Sequence, residues 1–301
     1  MATPLHALAG AREGEYWEDM EGKATLLFDY GADAFVRDED DETPLHWTAR
    51  HGNPAMAEVL LRANASSAHI DAINNSGETA LYVSALMYSL RVAEILVRAG
   101  ADVGVRCKEG ALQPLHVVCL GGPGYGNVPP SVAEPVLNPG VGGSLVKLLT
   151  THNANPNANS AGGRSAVHSL AYVGGSPALA AALHAADANF NHVCDAGWTP
   201  LQRCAQRGDV ATMRQLFQHG ADVDYLSWSE PGRPRTALLI AILHLRSDAV
   251  HFLIKHGADV EQGRTWASYE NRSMLLLAVG KPLKEKCKFI KRAAERFGGK
   301  G

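Results

Sequence analysis

A tetrapeptide, Thr-Pro-Leu-His, recurs along this chain at a nearly constant interval, and that recurrence limits the architectures open to it. It stands at Thr3-Pro4-Leu5-His6 and Thr43-Pro44-Leu45-His46, and altered copies begin at Thr79, Gln113, Ser165, Thr199, Thr236 and Ser273. Successive starts lie 40, 36, 34, 52, 34, 37 and 37 residues apart, so a unit of slightly over thirty residues repeats with insertions. A period in this range marks stacked supersecondary units, none of which can bury its apolar face alone. Function is then to be sought on the extended surface of the stack.

A second mark keeps the register. Gly100-Ala101-Asp102, Gly220-Ala221-Asp222 and Gly257-Ala258-Asp259 each follow their repeat start by 21 residues, and Asn153-Ala154-Asn155 and Asp187-Ala188-Asn189 are variants. Between the marks the pattern predicts two short amphipathic helices, as Leu201, Ala205, Met213, Leu216 and Phe217 show in one copy. Threonine suits the helix N-cap, proline the first helical position, and glycine the left-handed residue after the second helix.

The TPLH start, the leucine-rich second helix and the Gly-Ala-Asp mark together resemble the ankyrin repeat over nearly the whole chain, Thr3 to about Arg296. The resemblance implies an all-α fold, an ankyrin-repeat solenoid of stacked helix pairs with β-hairpin-like fingers. It implies one domain over residues 1–301, with repeat starts near 3, 43, 79, 113, 165, 199, 236 and 273. A capping helix is expected over about 282–297, where Leu283, Cys287, Ile290, Ala294 and Phe297 share a face. Histidine gives way to Tyr82, Gln202, Leu239 and Leu276, and proline to Ala80, Ala166, Ala237 and Met274. Those copies are expected to keep the fold and lose some of the hydrogen bonding that histidine provides in the family.

A hydrophobic content of 46% is ample for a continuous core. Five cysteines without close pairing point to reduced thiols in an intracellular, cytoplasmic setting, with the nucleus also open. No apolar run is long enough to span a membrane, and the first repeat begins at Thr3, which leaves no room for a secretory leader. The net charge of −3 hides a polarised chain. Residues 1–42 carry twelve acids against Arg12, Lys23 and Arg37, whereas residues 281–301 carry eight bases against two acids. Charged outer faces on terminal repeats account for this; steering of a partner is the functional alternative. The basic tail lacks interleaved aromatics, so no nucleic-acid partner is expected.

Insertions stand outside what the scaffold requires. A Gly/Pro-rich insertion within Gly121–Gly143 separates the helices of the fourth unit and reads as a surface loop or a lid. Its glycines follow no phosphate-binding spacing. A smaller insertion near Arg12–Met20 carries Tyr16 and Trp17. The fingers after the sixth and seventh units are lengthened and carry Tyr225, Trp228, Trp266 and Tyr269, aromatic residues of the kind enriched on recognition surfaces.

In the family, finger tips and the inner-helix positions seven and eight after each repeat start carry binding. The resemblance places those positions at Arg50 and His51, Leu86 and Met87, Leu120, Tyr172 and Val173, Gln206 and Arg207, and Leu243 and His244. Glu42, Trp198 and Arg235 occupy a further contact position, one residue before their repeats. The middle of the expected groove is apolar (Leu86, Met87, Leu120, Tyr172, Val173, Trp198), which marks a binding surface.

His6, His46, His116 and His168 share one repeat position, which points to a structural role rather than to metal or acid–base chemistry. His219 and His256 share the slot before Gly-Ala-Asp, where a cation would favour the helix C-terminus. No zinc-ligand spacing is present, so neither metal nor cofactor is expected. The expected function is a protein–protein interaction module whose concave face binds apolar anchors flanked by acidic residues, drawn to Arg50, Arg207 and Arg235. The alternative is a carrier or cofactor-free isomerase- or cyclase-like enzyme holding an apolar small molecule among Tyr172, His51, His244 and Arg207.

Overall fold

A computed structural model describes residues 2–11, 19–63, 67–121, 139–230 and 233–259. The repeat starting near Ser273, the helix expected over about 282–297, and most of the Gly121–Gly143 insertion lie outside these residues, as do Trp266 and Tyr269. The chain forms two compact units, residues 1–161 with 185–187, and residues 162–184 with 188–301.

Unit one is built of helix pairs: α1 (Pro4–Ala9) with α2 (Met20–Asp29), α3 (Pro44–His51) with α4 (Pro54–Arg62), α6 (Ala80–Leu86) with α7 (Leu90–Arg98), and α8 (Pro114–Cys119) with α9 (Pro139–Thr151). A short helix α5 (Ser67–Ile70) precedes the third pair. Unit two continues with α10 (Ala166–Val173) and α11 (Pro177–Ala185), α12 (Pro200–Arg207) and α13 (Val210–Gln218), and α14 (Ala237–Leu243) with α15 (Ser247–Lys255). Between α13 and α14 the lengthened finger closes as an antiparallel hairpin, β1 (Ser227–Glu230) against β2 (Arg233–Arg235).

The tetrapeptide acts as a start signal because each of its residues has a separate task. Thr3, Thr43, Ser165 and Thr199 are extended N-caps that form capping boxes with the third helical residue. Proline takes the first helical position, where its missing N–H costs nothing. The leucine faces the core: Leu5, Leu45, Leu81, Leu115, Leu201 and Leu238 are at most 2% exposed. One turn later Ala9, Ala49, Ala85, Ala171 and Ala205 are fully buried, and their small side chains let neighbouring inner helices approach closely. So α3 packs on α6 and α6 on α8 in unit one, and α10 on α12 and α12 on α14 in unit two.

Histidine joins successive repeats. In His46, Nδ1 accepts from the Thr43 backbone N–H at 3.1 Å while Nε2 meets the Glu78 carbonyl at 2.9 Å. His6 reaches Glu42 O at 3.0 Å and His168 reaches Trp198 O at 3.0 Å in the same way. A carbonyl can only accept, so Nε2 carries the proton and the ring is neutral. Those carbonyls also close the fingers: Glu42 O accepts from Asp38 N, Glu78 O from Asn74 N and Trp198 O from Cys194 N. The expectation that Gln202 loses this bonding is corrected. Its Oε1 accepts from Thr199 N at 3.0 Å and its Nε2 donates to Arg235 O at 2.8 Å, so the amide reproduces both halves of the imidazole's task. Tyr82 substitutes packing instead, burying its ring with Cys107 and Val117.

Candidate functional site

In unit one, two fingers of the same construction face the end of α3. Asp38 Oδ1 accepts from Asp40 N at 3.0 Å and Glu42 N at 2.9 Å; Asn74 Oδ1 accepts from Ser76 N at 3.0 Å and Glu78 N at 2.9 Å. Each side chain folds its own turn, the local bonding for which Asp and Asn are favoured. Trp47, Arg50 and His51 project from α3, and together these parts wall a cleft of about 410 Å³. The Trp47 indole N–H donates to Asp38 Oδ2 at 2.9 Å. Burial of Asp38 would raise its carboxyl, but that hydrogen bond and the two backbone N–H groups outweigh it and hold it below the ordinary carboxylate range. Arg50 pairs with Glu42 Oε1, whose carboxylate is otherwise buried. The Asn74 amide bridges Glu42 at 3.3 Å and Glu78 at 3.0 Å.

The other expected residues of unit one are less open. Leu86 packs at the edge of the Tyr82 cluster, and Met87 and Leu120 are half-buried at the ends of their helices.

In unit two the end of α10 is exposed, Tyr172 at 54% and Val173 at 42%. The Arg207 guanidinium lies 5.9 Å from the Tyr172 ring centroid, donates to the Tyr172 carbonyl and pairs with Asp209 at 3.2 Å. Trp198 is half-buried, with the Arg203 guanidinium 4.5 Å above its ring. Gln206 Nε2 meets His244 Nε2 at 3.5 Å. Burial, reinforced by Arg246 and Arg235, lowers the His244 pKa. Trp228 lies in β1, and its side chain is outside the described residues.

Arg50 and Arg207, expected to draw acidic residues of a partner, each already pair with an acid of this chain, Glu42 and Asp209. One expectation is corrected here. His219 is not a capping cation. Burial beside His184, whose ring is 5.0 Å away, lowers its pKa and favours the neutral form. Of the candidate acid–base groups, His51 belongs to unit one, and His244 and Arg207 to unit two. Sequence reasoning missed Trp47, Asp38, Glu78 and Arg203. The available signal was that Trp47 directly follows the repeated histidine, while finger acids directly precede the next repeat. Among the described residues no group of three or more His, Cys, Asp or Glu is placed to hold a metal ion. No described helix is long and apolar enough to cross a membrane. Cys107, Cys119, Cys194 and Cys204 are free and buried, and burial pushes the Cys119 thiol up to about 12.

A sequence-family model described as ankyrin repeats matches three times, over residues 19–107, 138–227 and 175–264. Among curated relatives, the inactive serine/threonine-protein kinase TEX14 of Bos taurus is 31% identical over 87 residues, covering 29% of this chain and 6% of that protein. The NF-kappa-B inhibitor alpha of Gallus gallus is 34% identical over 85 residues, covering 28% of this chain and 26% of its own length. The chain thus spans only a minor part of these relatives. The crystal structure of the ankyrin repeat domain of Bcl-3 superposes with a TM-score of 0.62 at 22% identity, over 84% of this chain and 98% of that one. That likeness concerns the fold.

Proposed function

We propose, from the premise that this chain belongs to the ankyrin-repeat family, that it is a protein–protein interaction module working through its inner-helix ends and fingers. One observation carries the reading: Tyr172 and Val173 are exposed side by side at the end of α10, with Arg207 held against the Tyr172 ring. An aromatic beside a pre-positioned guanidinium is the kind of anchor on which binding energy concentrates. Asp209 fixes that geometry before any partner arrives, so less ordering entropy is lost on association. A relative named as an inhibitor of NF-kappa-B fits a role exercised on another protein. Buried free cysteines fit a reducing compartment, and the reading places the chain in the cytoplasm.

Tyr172→Ala should weaken partner binding by about 2 kcal/mol, roughly thirtyfold, with little change in melting temperature, because the side chain is largely exposed. Quantitative pull-downs with wild type and Tyr172→Ala check this; equal recovery of every partner would overturn the reading. The similar proteins lend no support to the catalytic alternative.

A further inference from the structure

We infer that the cleft between the two fingers and α3 in unit one receives an arginine side chain from a partner protein. The inference rests on the protein-binding reading and adds the chemistry of one partner residue, at a place separate from Tyr172. At about 410 Å³ the cleft falls within the roughly 300–1,000 Å³ usual for ligand sites.

Its charges favour a cation. Asp38, Asp40, Glu42 and Glu78 line it, against Arg50 and the imidazole of His51. Two of these carboxylates are committed to the scaffold. Asp38 holds its own turn and the Trp47 indole, and Glu42 holds Arg50 and Asn74. The other two keep acceptor capacity. Among the described residues, Glu78 accepts from Asn74 through Oε2, leaving Oε1, and the exposed Asp40 carboxylate has no hydrogen-bond donor. Glu39, next to Asp40 in the same finger, extends this field and would draw a cation in.

The shape selects among cations. No metal-holding group of acids forms among the described residues, so the cleft suits an extended organic cation rather than a bare ion. Trp47 supplies a flat wall whose orientation is set by its bond to Asp38 and by edge contact with His6, ring centroids 5.5 Å apart. A guanidinium can stack on such a ring while its fork of donors spans two carboxylates, which an ammonium cannot do. The protein already pairs Arg203 with Trp198 and Arg214 with Phe252, at 4.5 and 5.4 Å. Trp47 has no such partner of its own among the described residues.

The test uses the full chain and a blocked peptide, acetyl-Gly-Gly-Arg-Gly-Gly-amide, beside the same peptide carrying citrulline, the uncharged isostere. Binding is read from the Trp47 indole N–H signal by NMR, assigned by its loss in Trp47→Phe. The arginine peptide should shift that signal saturably, and citrulline should bind at least tenfold more weakly. Asp40→Asn with Glu78→Gln should lower arginine affinity at least tenfold at an unchanged melting temperature. Equal binding of the citrulline peptide, undiminished binding by the double variant, or no saturable shift with arginine would each overturn the inference. The Tyr172→Ala pull-down reads a different surface, so failure there is distinguishable from failure at the cleft.

Discussion

His168 shows how much of this fold rests on a single ring. It ties the buried Ser165 N to Trp198 O across a repeat boundary. Burial above all depresses its pKa, to about 4 from 6.5. The unfolded chain therefore takes the proton first as pH falls. The stability contributed by the neutral ring is complete above pH 6.5 and is lost progressively between 6.5 and about 4. His168→Ala strands Ser165 N and takes one of the two bonds from Trp198 O, which keeps Cys194 N, and should cost about 1–3 kcal/mol at pH 7. His168→Gln should stay within about 1 kcal/mol of wild type and flatten the fall towards pH 4, since Gln202 already does this work one repeat later. Urea unfolding of the three proteins at pH 7 and pH 5 compares them. Asn53 is a second such residue. Its Oδ1 caps α4 at Met56 N, and its Nδ2 donates to Leu8 O and Ala11 O at 3.2 and 3.3 Å. Asn53→Ala should cost about 2 kcal/mol or more, measured by thermal unfolding, because a cap and two cross-repeat bonds go together.

At the scale of elements, the fingers are set by where backbones meet. Lys108 N donates to Ser76 O at 3.0 Å, which brings one finger onto the previous one. Gly77 sits at that approach with φ +76°, and a Cβ there would lie 2.8 Å from Lys108 N. Gly77→Ala should therefore cost about 1–3 kcal/mol in thermal unfolding, through both the left-handed strain and the backbone collision. The equivalent turn position in the preceding finger is Asp41, at φ +62°. Helix starts were legible in the sequence because Thr-Pro at the N-cap acts locally. A hairpin-like finger was expected there too, but its register, Ser227 opposite Arg235 and Glu230 opposite Arg233, was not legible, because cross-strand pairing is decided outside either strand's own sequence.

For the whole molecule, each compact unit has its own core, with Leu45, Leu81 and Leu115 in one and Val167, Leu201 and Leu238 in the other. A chain ending at Ala161 should keep a helical circular dichroism spectrum and melt cooperatively, because repeats gain stability from their nearest neighbours. A broad, featureless melt of that fragment would show that unit one does not close its core alone.

The sequence by itself determined the repeat, its helix starts and its buried stripe, because capping and apolar spacing act over a few residues. It also placed Tyr172 and Val173 at an inner-helix end. Only the tertiary structure decided what those positions present. Arg207 lies over Tyr172 from 35 residues away, and Glu42 quenches Arg50 across the span from a finger to a helix end. The Trp47 cleft exists because fingers 36 residues apart in sequence repeat the same turn side by side. Such pairings depend on which side chains meet across repeats, and no local pattern records that.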